Sequence, residues 1–268
     1  MSAIADDGAW LLEARSVSRR FGGLLAVDAV DLAVRRASVH GLIGPNGAGK
    51  TTLLNLVAGV YRVSSGALRF GARDITLHST AKRARAGIRR TFQNLKLFGE
   101  MTALENVAIG LHAATRSGFF DAVLGTPRHR AEERGIHDAS MEALRFVGLA
   151  AIAQARAAAL AYGHRRLLEI ARAIVARPAL LLLDEPAAGL NVTEAAHVSE
   201  LIARIRSGGT TVILVEHHMD VVMGVSDEIT VLNYGRRLAH GTPAQIQEDA
   251  GVIEAYLGRS VESEHAQA

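Results

Sequence analysis

Apolar positions in this chain follow two periods. Ala179-Leu180-Leu181-Leu182-Leu183 is an unbroken apolar run and predicts a central strand buried on both faces. Val212-Ile213-Leu214-Val215 predicts another strand, within Thr210 to Glu216, while Val39-His40-Gly41-Leu42-Ile43 reads as a short buried strand and Ile229 to Leu232 as one more. Helical spacing takes over at Lys50 to Ala58, closed by Gly59, and again at Leu167 to Ile174, Glu194 to Arg206 and Met219 to Val225. Residues 10–70 alternate short β-like runs with turns, including Leu32-Ala33-Val34 and Ala67-Leu68-Arg69-Phe70, as expected of an antiparallel layer. Residues 71–159 are expected to be mostly helical, with helices at Thr80 to Ala86, Leu104 to Leu111 and His129 to Val147. Near the end, Thr242-Pro243-Ala244-Gln245 has the form of a helix start, with Thr at the N-cap, Pro at N1 and Gln at N3.

Chemistry enters where the first buried strand stops. Gly44-Pro45-Asn46-Gly47-Ala48-Gly49-Lys50-Thr51 satisfies G-x-x-x-x-G-K-[ST], in the order strand, glycine loop, helix. Glycines let backbone N–H groups turn inward around phosphates, and the loop opens onto a helix N-terminus whose dipole favours anions. Lys50 is then expected to reach the β and γ phosphates and the Thr51 hydroxyl, beside Thr52, to ligate magnesium. The leucine run ends abruptly in Asp184-Glu185, which sets two carboxylates at the carboxyl end of a strand, where open α/β sheets bind ligands. There Asp184 can hold a magnesium ion while Glu185 polarises an attacking water.

Between those motifs lies Leu160-Ala161-Tyr162-Gly163-His164, directly before a helix. With it the chain resembles the ATP-binding subunits of ABC transporters, whose Leu-Ser-Gly-Gly-Gln signature occupies that place. Further matches run in order: Phe21 for the aromatic that stacks on adenine, Gln93 in Thr91-Phe92-Gln93-Asn94 for the Q-loop glutamine, Ala188-Gly189-Leu190-Asn191 for the D-loop, and His217 for the switch histidine. His217 is followed by His218, so that assignment depends on register, and the strand ending in Val215-Glu216 favours His217. Several segments are similar to the ATPases of branched-chain amino acid importers: Arg20-Phe21-Gly22-Gly23-Leu24, Thr91 to Phe98, Asp184 to Asn191, Gly241-Thr242-Pro243, and the Leu-Ala-Tyr-Gly form of the signature.

The resemblance implies an α/β fold of the P-loop NTPase type, an ABC nucleotide-binding domain with an antiparallel β layer and a helical subdomain. Its single domain would span residues 10–258, with 10–95 and 176–258 as nucleotide-binding core and β layer, 96–175 as helical subdomain, and 259–268 as a disordered tail. It also implies ATP sandwiched between the phosphate loop of one ATPase subunit and Ala161, Tyr162, Gly163 and His164 of a second, a closed dimer that hydrolysis reopens. Gln93 would ligate magnesium and sense the attacking water, Asn191 would contact the partner, and His217 would contact the γ-phosphate. Partners would be transmembrane permease subunits, a second ATPase subunit and, indirectly, a solute-binding protein, with the chain peripheral on the cytoplasmic face of the membrane. The alternatives are the ATPase of another importer, for urea or other amides, and an ABC ATPase outside transport.

Three positions depart from the general family pattern: Ala161 stands for the signature serine, His164 for its glutamine, and Asn191 for an aspartate. The missing hydroxyl is expected to weaken the composite site roughly ten- to a hundredfold, the worth of one hydrogen bond to a charged group. Stacking on Phe21 tolerates any base, so GTP is expected to support some hydrolysis.

Composition narrows the picture further. At 268 residues and 49% hydrophobic, the chain can bury a substantial core. No run approaches the ~20 apolar residues that cross a bilayer, the N-terminus lacks a basic-then-apolar signal pattern, and the absence of cysteine suits a reducing cytosol. The formal charge is +3, with basic residues grouped at Lys82, Arg83, Arg85, Arg89 and Arg90 and at Arg128, Arg130 and Arg134. Aromatic residues do not interleave with them, so solvated helix faces are expected and a nucleic-acid partner is not. Phe119, Phe120, Val123 and Leu124 lie in a stretch beyond a minimal nucleotide-binding domain, and Leu95 to Phe98, just after Gln93, are expected to meet the permease.

Overall fold

The leucine run and its neighbours form the middle of a mixed six-stranded sheet. In chain order the strands are β1 (Trp10–Phe21), β2 (Leu24–Arg35), β3 (Val39–Ile43), β4 (Ser65–Phe70), β5 (Arg73–Asp74), β6 (Ile88–Arg90), β7 (Leu180–Asp184), β8 (Thr211–Val215), β9 (Glu228–Asn233) and β10 (Arg236–Gly241). The helices are α1 (Lys50–Ala58), α2 (Thr80–Arg85), α3 (Ala103–Ile109), α4 (Pro127–Phe146), α5 (Tyr162–Ile174), α6 (Val192–Ser207), α7 (Met219–Val225) and α8 (Pro243–Glu248). These elements belong to a computed structural model that describes residues 9–91, 96–111 and 127–256.

The larger sheet has the order β10-β9-β3-β8-β7-β6, parallel throughout except for β10 against β9. Every residue of β3, β7 and β8 is buried, which is why their sequences are apolar at successive positions rather than alternate ones. β8 lies between β3 and β7, so the segments leaving β3, β8 and β7 emerge side by side at one edge. A second, antiparallel sheet has the order β2-β1-β4-β5. It is tied to the first by the Asp28 N–H donating to the Gly235 carbonyl and by the Arg236–Asp28 ion pair.

One core fills the space between the helices and one face of the larger sheet, with Val107, Leu144, Leu168 and Ile202 packed beside Leu181, Leu183, Val212 and Leu214. A second joins the opposite face, through Leu180, Leu182, Ile213 and Val215, to α1 and the antiparallel layer, and a smaller third gathers Ile43, Val222, Ile229 and Ile246. Alternate residues of one strand therefore serve two cores. Helix α1 begins at Lys50 and is closed by Gly59 in the left-handed region (φ 78°), as its sequence implies. Thr242 caps α8 in a full capping box with Gln245.

The structure corrects the reading of residues 71–159 in two ways. Ile88–Arg90 is a strand at the edge of the parallel sheet, too short for periodicity to reveal, and Arg73–Asp74 pairs with β4. Of the first basic cluster, Lys82 and Arg85 are exposed on α2, but Arg83, Arg89 and Arg90 are not part of a solvated helix face. Arg83 is 1% exposed and donates to the carbonyls of Leu56, Val57, His78 and Thr76, neutralising the negative end of α1. Burial lowers its pKa to about 10, so it stays charged at neutral pH.

Candidate nucleotide site

The phosphate loop is shaped by close contacts as much as by its own flexibility. Gly44 has φ 145°, and a Cβ there would stand 2.1 Å from the Leu232 carbonyl of β9. Gly49, the N-cap of α1 at φ 99°, lies so close to β2 that its Cβ would meet the Ala26 carbonyl at 2.5 Å. Both glycines are thus required by strands that flank the loop, in addition to any ligand the loop surrounds. The Lys50 ammonium donates to the carbonyls of Gly44 (2.6 Å) and Pro45 (3.0 Å), which keeps it inside the loop. Asn46, Gly47 and Thr51 are exposed on its open side, Thr52 is half-buried, and Ala48 and Pro45 are buried.

At the end of β7, Asp184 is fully buried, and its Oδ2 accepts from Arg90 Nη2 at 2.8 Å. Burial pushes the carboxyl pKa up, and the Arg90 guanidinium pulls it back down. Glu185 lies close enough to oppose the Asp184 charge and Lys50 close enough to favour it, so the three groups share one electrostatic site. The Asp184 Oδ1 is buried with no hydrogen-bond partner among the described residues. A buried, orphaned carboxylate oxygen at the end of β7 and an exposed threonine hydroxyl in the first turn of α1 are both oxygen donors of the kind that fit a magnesium ion. Glu185 is half-buried at φ 51°, a conformation costly for a side chain with a Cβ and common at reacting centres.

The segment after β8 contributes the histidines. His217 and His218 are both about half exposed, with ring centroids 4.2 Å apart. His218 occupies the N-cap position of α7, which leaves Glu216 and His217 between strand and helix. Beneath them Glu216 is buried and accepts from the backbone N–H groups of Ala187, His217 and His218.

Ala161 is the N-cap of α5 and, lacking a hydroxyl, makes no side-chain cap bond. Tyr162 donates its hydroxyl to the Ala188 carbonyl at 3.2 Å and accepts from Arg166 at 3.0 Å. Gly163 is buried against α6, where a Cβ would meet Glu194 Oε1 at 2.6 Å, while His164 is exposed. The signature segment and the loop after β7 are therefore packed on one another within the chain. Asn191 caps α6, accepting from the Glu194 N–H at 2.9 Å. Phe21, at the end of β1, has the Arg19 guanidinium 4.4 Å from its ring centre and Tyr61 edge-on at 5.1 Å. Gln93, like the apolar residues at 119, 120, 123 and 124, lies outside the described residues.

This arrangement has relatives. The "ABC transporter" family model matches residues 27–188, and the model for a "Branched-chain amino acid ATP-binding cassette transporter" matches residues 236–262. The chain belongs to the ABC transporter ATP-binding family. It is 45% identical over 251 residues to the high-affinity branched-chain amino acid transport ATP-binding protein BraF of Pseudomonas aeruginosa, covering 93% of this chain and 98% of the relative. Identity to the LivG protein of Escherichia coli is 44%, with the same coverage. A nucleotide-free ATP-binding cassette from an ABC transporter superposes with a TM-score of 0.81 at 30% identity, covering 92% of this chain and 98% of the other. The ADP conformation of an ABC transporter's ATP-binding cassette superposes with the same score and identity, covering 93% and 99%. As an ABC ATPase, the chain carries its ATP-binding machinery on an α/β fold with an antiparallel sheet and a helical segment, as the resemblance implied.

Three charged residues packed against the candidate site residues have no site role in the sequence reading. In the sequence Arg90 reads as one of a group of surface charges, Glu216 only sets the register of His217, and Glu194 reads as ordinary helix. Arg90 meets Asp184 and Glu216 meets Ala187 only through the fold, whereas the Asn191-x-x-Glu194 spacing of a capping box is a local signal that could have placed Glu194. Among the described residues no helix is long and apolar enough to cross a membrane.

Proposed function

We propose that this chain is the ATP-hydrolysing subunit of a membrane importer for branched-chain or related amino acids, working as one half of an ATPase pair bound to transmembrane permease subunits at the cytoplasmic face. The observation that carries the chemistry is the convergence of Lys50, Asp184 and Glu185 at the ends of strands flanking β8. The kind of solute rests on the similarity to BraF and LivG over nearly the whole chain.

In the proposed mechanism Lys50, presented by the loop carbonyls, neutralises phosphate charge that builds in the transition state. Asp184, with Thr51 and Gln93, would hold magnesium, which would supply positive charge to offset the negative charge of the phosphates. Glu185 orients the attacking water and takes up its proton, and His217 donates to the γ-phosphate. Phe21 offers the face away from Arg19 to the base. The uncapped first turn of α5, with Ala161 at its head, leaves backbone N–H groups for the γ-phosphate of the site completed by a second subunit. Phe98, 52% exposed, is held by a buried Asn106 that bonds its backbone N–H and carbonyl, a firm platform for permease contact that follows Gln93 in the chain.

ATP-dependent association tests this reading. The chain and its Glu185→Gln variant are mixed with magnesium and ATP and weighed by light scattering. A doubled mass for the variant, reversed in the hydrolysing wild type, is expected. A persistent monomer that binds ATP would show that this chain needs a different ATPase partner, and one that binds no nucleotide would defeat the proposal.

A further inference from the structure

Glu216 is one of the buried ionisable groups among the described residues that the mechanism above leaves without a task. Its side chain is fully buried at the end of β8, the strand between the phosphate-loop strand and the strand that carries Asp184. One carboxylate oxygen, Oε1, accepts from the Ala187 N–H at 2.7 Å. The other, Oε2, accepts from the N–H groups of His217 at 3.0 Å and His218 at 3.4 Å. The imidazole Nδ1 atoms stand 3.8 and 3.4 Å from the same oxygen. A buried carboxylate is costly unless its oxygens are satisfied, and here the donors come from two different loops. One loop follows β7 and begins with Glu185; the other carries His217. The first is bonded in turn to α5, through the Tyr162 hydroxyl on the Ala188 carbonyl.

We infer that Glu216 is a positioning residue for hydrolysis: it clamps the His217 loop to the loop after β7, so that His217, Glu185 and the signature helix keep a common register. The clamp rests on the ATPase reading given above. A carboxylate is suited to the task because both its oxygens accept, whereas an amide of the same shape must point a donor at one of the two loops. Nucleotide binding, which draws on the phosphate loop and Lys50, does not pass through it. Loss of the clamp therefore acts on kcat and spares affinity.

The test uses the full chain, wild type and Glu216→Gln, with steady-state ATP hydrolysis, titration by a fluorescent ATP analogue, and hydrogen exchange over residues 186–191 and 216–219. For Glu216→Gln, kcat is expected to fall roughly ten- to a hundredfold, as for one charged hydrogen bond lost. Analogue affinity should stay within about twofold, and exchange should rise in both loops together. Unchanged kcat, an affinity loss that accounts for the slower rate, or loosening confined to one loop would overturn the inference. Glu216→Asp, which keeps the charge but is too short to span both loops, carries the same expectations if the amide variant does not fold. A wild type that binds ATP without hydrolysing it would remove the ATPase reading, and hydrogen exchange would still decide whether Glu216 joins the loops.

Discussion

Asp184 shows how one buried carboxylate divides its oxygens between structure and chemistry. Oδ2 belongs to Arg90, and Oδ1 is left over. Removing the cation by Arg90→Met strands a charge in the interior, and unfolding by urea is expected to show a loss of roughly 3–5 kcal/mol. Most of that loss should return in Arg90→Met/Asp184→Asn, where neither charge remains. His40 makes the opposite choice and stays neutral. Buried on β3, in contact with the Thr230 hydroxyl and stacked near His240, its pKa is pushed down from 6.5 to about 3, chiefly by burial. Because the unfolded chain takes up that proton first, the stability concerned is complete above pH 6.5 and declines as pH falls toward 3. The slope is about 1.4 kcal/mol per pH unit for one proton. Denaturation midpoints at pH 7.5 and 5.5 check this, and His40→Gln is expected to flatten that part of the dependence.

Helix ends carry much of the site, and they were only partly legible. The start of α1 was marked by the Gly-Lys-Thr sequence and its end by Gly59, since both depend on residues adjacent in the chain. The start of α6 carries a local signal too, yet it lies two residues before the position expected. Its capping box joins Asn191 to Glu194, so the residue read as a D-loop contact also starts a helix. Asn191→Ala is expected to cost about 1 kcal/mol of stability, measured by thermal unfolding, whereas Asn191→Asp should cost little because either oxygen can accept from the N3 amide. Ile88–Arg90 stayed hidden because three residues carry no usable period, and the strand exists only by pairing with β7.

At the scale of the whole molecule, the phosphate loop, the Asp184-Glu185 pair and the His217 segment follow three neighbouring strands of the parallel sheet, and Phe98 stands exposed outside that set. Phe98→Ala is expected to leave basal ATP hydrolysis within about twofold while transport reconstituted with the permease falls at least tenfold; the hydrolysis and transport assays together check it. Undiminished transport would place the permease contact elsewhere. The phosphate-loop pattern, the buried strand ending in Asp184-Glu185, the order of the motifs and the family are all legible before folding, because each is written in consecutive residues or in one strand's apolar run. It takes the folded chain to show that Arg83 closes α1, that Arg90 holds Asp184, that Leu232 and Ala26 demand Gly44 and Gly49, and that Glu216 bonds two loops. The reason is physical: a charged side chain reads the same in sequence on a wet surface or in a core, and which it becomes is settled by partners that folding brings from distant parts of the chain.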